Sequence, residues 1–353
     1  MHKTVLLNEA IDNLNVKEDG IYVDATLGFG GHSGLILKRV KRGFLFAFDQ
    51  DEMAIEYSDK KLSEIGNNYE IIKSNFVNLK EELNKRGIYD ILALSSSDLD
   101  ITDRRLTKKI IEEYAPEVIF HCAAYTNVDK AEDDKEMAMK VNAEGTKNIT
   151  DAARLVNAKL IYVSTDYVFD GKKDGIYEVN DQINPQNVYG LSKALGEKIV
   201  SSYEKGFIVR TSWVFGINGK NFVKTMLKLA ENHSQLNVVS DQIGSPTYTV
   251  DLAKLLVDMS LTDKYGIYHA NNEGFTPWAD FAEYIFKSNN LDIKVNHVTT
   301  KEYGQSKAQR PKNSRLSKKC LIENGFNTLP TWQDAINRYN IELNESLEKG
   351  KNR

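Results

Sequence analysis

Tyr189 and Lys193 stand four residues apart in Tyr189-Gly190-Leu191-Ser192-Lys193, downstream of the apolar run Leu160-Ile161-Tyr162-Val163-Ser164-Thr165. A helix puts positions i and i+4 on one face, so the phenol and the ammonium can enter one site. A phenol titrates at about 10 in water and is a poor proton donor near neutrality. A fixed cation beside it stabilises the phenolate and makes the group a usable general acid. The Thr165 hydroxyl, at the carboxyl end of a strand, can bind the same reacting oxygen. Together the three suit hydride chemistry at a carbonyl, although an isolated Tyr-x-x-x-Lys is more often a surface pair on an amphipathic helix.

The elements that must position these groups alternate along the chain. Strands are expected at 21–26, 44–48, 69–72, 89–94, 117–121, 159–164, 206–210 and 236–239. Helices are expected at 32–40, 51–64, 104–114, 135–157 and 190–204. Apolar strands alternating with amphipathic helices predict an α/β fold with a doubly wound, mostly parallel, Rossmann-like sheet. Ligands then bind at the carboxyl ends of the strands. After about residue 215 the pattern loosens into a smaller α/β lobe, in which Thr276 is expected to cap a helix with Pro277 at its first position. The tail from Glu342 onward is expected to fray.

Composition bounds the class. The 353 residues are 41% hydrophobic and 27% charged, a globular balance with room for about two domains. Two cysteines, Cys122 and Cys320, give no disulfide framework and favour a cytoplasmic setting. Val5-Leu6-Leu7 is too short for a signal-peptide core, and no apolar run reaches membrane-spanning length. The net charge of −4 argues against a nucleic-acid partner, the basic run Lys38-Arg39-Val40-Lys41-Arg42 reading as a solvated helix end. His32, His121, His233 and His269 lack companion ligands, so no metal is expected.

Longer stretches resemble a known family. Ser164-Thr165-Asp166-Tyr167-Val168-Phe169-Asp170-Gly171, Asn184-Pro185-Gln186-Asn187-Val188-Tyr189-Gly190 and Arg210-Thr211-Ser212-Trp213-Val214-Phe215-Gly216 closely resemble the dTDP-4-dehydrorhamnose reductases. These are extended short-chain reductases. Cys122-Ala123-Ala124-Tyr125, Asp241-Gln242-Ile243-Gly244-Ser245-Pro246-Thr247 and Arg310-Pro311-Lys312-Asn313-Ser314 extend the likeness, which runs from about Glu82 to about Tyr339. It implies NADPH or NADH as cofactor and reduction of dTDP-4-dehydro-6-deoxy-L-mannose, a 4-keto nucleotide sugar, to dTDP-L-rhamnose. It also implies that Tyr189, Lys193 and Thr165 are catalytic, and that Asp100, Ile101, Ala123, Ala124 and Tyr125 meet the cofactor along with Tyr189 and Lys193. Thr165, Asp166, Trp213 and Arg310 would meet the substrate. Asp166 could equally cap the turn after its strand, Trp213 could be core, and Arg310 could form a surface salt bridge. A homodimer is compatible with this reading.

The first 80 residues resemble a different family, the methyltransferases that act on N4 of a cytidine in 16S ribosomal RNA. His2-Lys3-Thr4-Val5-Leu6-Leu7-Asn8-Glu9, Val23-Asp24-Ala25-Thr26-Leu27-Gly28-Phe29-Gly30-Gly31-His32-Ser33 and Phe46-Ala47-Phe48-Asp49-Gln50-Asp51 carry the likeness. It implies an alternative S-adenosylmethionine site at Gly30, Gly31, His32, Asp49 and Phe76, with RNA as partner under that reading alone. Strand, glycine turn, helix and acid-ended strand form a nucleoside-binding βαβ unit that could hold either adenosylmethionine or a dinucleotide. The chain thus reads as two fragments joined around Leu79 to Asp90. The expected domains are a methyltransferase-like fragment at 1–80, a reductase-like Rossmann region at 81–215, a nucleotide-sugar lobe at 216–341 and a tail at 342–353. The glycine turn that opens the reductases is missing from 69–79, so the dinucleotide pyrophosphate is expected to be poorly held unless Gly28-Phe29-Gly30-Gly31 serves instead.

Overall fold

The structure, a computed structural model, describes residues 16–24, 31–49, 52–73, 91–304 and 306–351. The chain divides into two compact units, Met1–Ala93 and Leu94–Arg353, so the reductase-like region and the C-terminal lobe belong to one unit.

The first unit contains β1 (Ile21–Asp24), α1 (Gly31–Arg39), β2 (Phe44–Asp49), α2 (Glu52–Ser63) and β3 (Tyr69–Lys73). Its three strands run parallel in the order β1-β2-β3. Parallel strands need crossover helices, and α1 and α2 supply them. Ile36, Leu37 and Val40 bury against Leu45, Ala47 and Leu62.

The second unit is built on four parallel strands, β4 (Val118–His121), β5 (Lys159–Thr165), β6 (Gly206–Thr211) and β7 (Gly266–His269). Their order in the sheet is β7-β6-β5-β4. Leu160, Ile161 and Tyr162 of β5 are buried, as expected for a strand covered on both faces. One face carries α3 (Arg104–Tyr114), α6 (Thr146–Val156) and α7 (Val188–Val200) over Leu160, Tyr162 and Ile208. The other carries α9 (Thr249–Ser260) over Ile161, Phe207 and Val209. Between β4 and α6 lie α4 (Val128–Asp133), α5 (Lys135–Met139) and a π-helical turn, Lys140–Gly145. The expected helix 135–157 is therefore interrupted at Asn142, and such π-turns mark functional sites.

Smaller strand pairs and α8 (Phe222–Ala230), α10 (Trp278–Ser288) and α11 (Trp332–Lys351) form the C-terminal lobe around Phe215, Phe281, Phe286, Ile336 and Tyr339. Three sequence expectations need correction. Residues 91–95 form no strand, and 89–90 lie outside the described residues, so among the described residues β4 is an edge. Pro277, not Thr276, stands at the N-cap of α10, because the short strand of Thr276 and Pro277 against Gly244 and Ile243 keeps Pro277 extended (ψ 157°). The tail is helical through Lys351, with Leu343 packed on the lobe core and Glu342 accepting a hydrogen bond from the Tyr248 hydroxyl.

Candidate active site

Three strand ends converge on the site: Cys122-Ala123-Ala124-Tyr125 after β4, Thr165 at the end of β5, and Thr211-Ser212-Trp213 at and after the end of β6. Helix α7 carries Tyr189 and Lys193 toward them. Its start is fixed twice. Asn187 accepts the Gly190 N–H at 2.7 Å as N-cap, and Glu132 of α4 accepts the Val188 N–H at 2.8 Å. Two glycines set how closely α7 lies on the sheet. A Cβ on Gly190 would stand 2.2 Å from the Tyr167 carbonyl oxygen, and one on Gly196 would stand 2.2 Å from the Tyr162 hydroxyl. Below Lys193, Glu197 is gripped by Arg210 through two hydrogen bonds of 2.9 and 2.7 Å, and the Ser164 hydroxyl donates to it as well. Both partners are buried, so losing either strands a charge, at a cost of about 3–5 kcal/mol.

The Lys193 ammonium donates to the Val163 carbonyl at 2.8 Å and lies 4.0 Å from the centre of the Tyr162 ring. Burial lowers it to about 7, with the Glu197 carboxylate and Cys122 pulling the other way. Burial pushes the Tyr189 phenol well above its ordinary value; the nearby Thr165 hydroxyl works the other way, and the charges of Asp166 and Tyr167 raise it. The sequence expectation of a phenol lowered by Lys193 is thus not met here, because burial dominates and the Lys193 ammonium is directed to the Val163 carbonyl. Thr165 also donates to Asp166 at 3.0 Å and accepts from the Tyr167 N–H at 3.2 Å.

The other expected residues fall into place unevenly. Asp166 is buried, receives the Ser314 hydroxyl, and is raised by burial to about 6. Its carboxylate is turned to protein partners on both oxygens. Trp213 adopts φ 50° and stacks on Trp278 with ring centres 3.5 Å apart. Gly244 makes room for that indole, since a Cβ there would stand 2.8 Å from it. Arg310 donates to Asp129 at 2.6 Å and to the Tyr167 hydroxyl at 3.2 Å, an ion pair as the sequence allowed. Asp100 is exposed and accepts the Thr102 N–H and hydroxyl, whereas Ile101 is buried core beneath α6. Gly31 and His32 open α1 and Asp49 ends β2 in the first unit, their side chains lying outside the described residues, as do Gly30 and Phe76 entirely.

Asn142 escaped the sequence reading. Buried in the π-turn, it accepts the Tyr125 N–H at 2.7 Å and donates to the Tyr125 carbonyl at 3.1 Å and to Ser192 at 2.8 Å. It ties the loop after β4 to the helix that bears Tyr189 and Lys193. The one sequence signal was a polar residue on the apolar side of an otherwise amphipathic helix.

The residues fit the nicotinamide end of a dinucleotide: a buried lysine beside a tyrosine, with Ala123 and Ala124 keeping the strand end open to a ring. Among the described residues of this unit no glycine turn stands beside β4 for a pyrophosphate. Asp280, Glu283 and His297 bring ligand atoms within 4.8 Å of one another on the exposed surface, where His297 and Glu283 already pair at 2.8 Å.

A parallel sheet with a Tyr-Lys helix and a strand-end threonine at its carboxyl edge defines a Rossmann-type short-chain reductase. Residues 77–344 match the family described as the RmlD substrate binding domain. A dTDP-4-dehydrorhamnose reductase of Aggregatibacter actinomycetemcomitans is 44% identical over 265 residues, 71% of this chain and 89% of that one. The spore coat polysaccharide biosynthesis protein SpsK of Bacillus subtilis is 39% identical over 265 residues, 75% and 93% of the two chains. The crystal structure of the Bacillus anthracis dTDP-4-dehydrorhamnose reductase in complex with NADP superposes with a TM-score of 0.71 at 36% identity, covering 92% of this chain and 99% of that one. The chain belongs to the dTDP-4-dehydrorhamnose reductase family. Residues 1–111 also match the MraW methylase family, beyond the limit near residue 80 that the motifs suggested, and the two matches overlap across 77–111.

Proposed function

We propose that this protein reduces the 4-keto group of a dTDP-linked deoxysugar, dTDP-4-dehydro-6-deoxy-L-mannose, with hydride from NADPH or NADH, in a cytoplasmic setting. The observation that carries this reading is a half-buried Tyr189 at the start of α7 with the buried Lys193 one helical turn below it, both on the helix packed over the β5 end that carries Thr165. A reduced nicotinamide bound at Ala123 to Tyr125 supplies the hydride. Thr165 holds the carbonyl oxygen, and Tyr189 gives that oxygen its proton as negative charge develops there. Lys193 is already aimed at the strand end by its bond to Val163; it holds the ribose hydroxyls and, once turned from the carbonyl, favours the phenolate left behind. Asp166 braces Thr165 and Ser314, and Trp213 offers an indole face to the sugar. The match to the MraW family ends at residue 111, so methyl transfer is not carried forward.

Consumption of NADPH on addition of the keto sugar tests the reading. Tyr189→Phe should cut turnover by roughly 10² to 10⁴, as loss of a general acid does. Turnover unchanged within a few-fold would refute the assignment of the proton donor.

A further inference from the structure

One charged pair at the mouth of the site has no part in that chemistry. The two oxygens of Asp129, on α4, do different work. Oδ2 accepts from the Arg310 guanidinium at 2.6 Å, and Oδ1 accepts from the Ala308 N–H at 3.1 Å. The segment Ser306–Arg310 is fastened elsewhere too. Asn187, the N-cap of α7, donates to the Gln309 carbonyl at 2.8 Å, and Lys307 pairs with Asp133. The segment therefore stays in place when Oδ2 lets go. The other arm of Arg310 donates to the Tyr167 hydroxyl, and the Tyr167 ring meets the Tyr189 ring edge-on at 5.5 Å. The guanidinium thus lies one ring away from the proposed proton donor. The pair is reachable from solvent, its side chains being 33% and 42% exposed.

We propose that Asp129 is an internal competitor for the acidic group of the substrate: its carboxylate holds Arg310 in the free protein, and a dTDP-linked sugar binds by drawing that guanidinium onto its diphosphate. The identity of the anion rests on the function proposed above. The competition itself follows from charge. A partly exposed arginine–carboxylate pair contributes about 0–1 kcal/mol, whereas a diphosphate takes the same fork with two charge-assisted bonds and more charge. Asp129 also repels an incoming anion as long as it is ionised. Burial works against its ionised form, but the Ala308 N–H and the Arg310 charge hold its carboxyl below the usual range. It sets substrate affinity through Arg310 and is not a catalytic residue.

The test is calorimetric titration of the full-length protein with dTDP. Asp129→Asn keeps an oxygen for the Ala308 N–H and removes the charge; Asp129→Ser does the same with a shorter side chain, should the first variant fail to fold. Either should bind dTDP about two- to fivefold more tightly than the parent protein, the range a weak surface pair allows. The gain should shrink at high salt and vanish in an Arg310→Gln background. Weaker or unchanged binding in both uncharged variants would overturn the proposal, since a mere brace for the segment gives that result. So would a gain that survives Arg310→Gln, or no dTDP binding by any variant. Keto-sugar reduction is scored separately. Tighter dTDP binding without reduction would sink the proposed function and leave the competition standing, and reduction with unaltered dTDP affinity would do the reverse.

Discussion

Lys193 is a residue that the fold carries at a cost. Burial takes its ammonium from 10.5 to about 7, so between those values the folded state holds fewer protons than the unfolded chain. Stability then rises with pH across that window, and the penalty is fully present below about 7. Lys193→Met removes it, at the expense of the Val163 carbonyl partner, whose loss does not depend on pH. The variant should therefore gain in melting temperature relative to the parent at about pH 6 and lose that advantage toward about pH 10, while its turnover falls and its cofactor affinity weakens. A pH-independent difference in melting temperature would mean that the ammonium is not desolvated as described. At this scale the sequence was informative where partners are close in the chain. Tyr189, Lys193 and their shared face follow from a four-residue spacing. Asn142 does not, because its partners Tyr125 and Ser192 lie 17 and 50 residues away, nor does the Arg310 pairing, whose partner is 181 residues away.

Among the elements, α7 is placed by what it lacks. Gly196 lets it settle against the Tyr162 hydroxyl and the Asn142 carbonyl, and a Cβ would stand 2.2 and 2.8 Å from them. Gly196→Ala should push the helix off the sheet, cost about 1–3 kcal/mol as overpacking does, and lower turnover by displacing both Tyr189 and Lys193. Leu195→Ala, at a position 39% exposed on the outer side of the same helix, should cost much less. Equal melting temperatures for the two variants would refute the close-packing argument. The strands flanking α7 were legible because β5 and β6 are continuous apolar runs with turns at each end. The apolar run at 89–94 looked the same in one dimension, yet Ile91, Leu92 and Leu94 are exposed; an apolar segment becomes a strand only where another strand accepts its hydrogen bonds.

For the whole molecule, the described residues of the second unit include groups that fit the nicotinamide end of a dinucleotide, as proposed above, without a glycine turn beside β4 for the pyrophosphate. A full cradle contributes several charge-assisted bonds of about 1.5–3 kcal/mol each. Unless Gly28-Phe29-Gly30-Gly31 supplies one, NADPH should bind the full-length chain within about tenfold of reduced nicotinamide mononucleotide, a difference of roughly 1.4 kcal/mol. Competition calorimetry with the two ligands checks this, and NADPH binding tighter by several orders of magnitude would refute it. The joining of two families was readable because each keeps long ordered motifs. The compact units, divided in the chain between Ala93 and Leu94, were not, because such a boundary is set by which cores close and not by where one family's motifs end.

The stacked indoles of Trp213 and Trp278, two of the three tryptophans in the chain, also make the lobe optically legible. The two indole planes, centred 3.5 Å apart and tilted by 12°, are close enough for their transitions to couple. Their coupling should appear as a paired positive and negative band in circular dichroism and vanish on Trp278→Leu. Any sugar that wedges against Trp213 would alter that signal, so occupancy could be followed without turnover, label or cofactor.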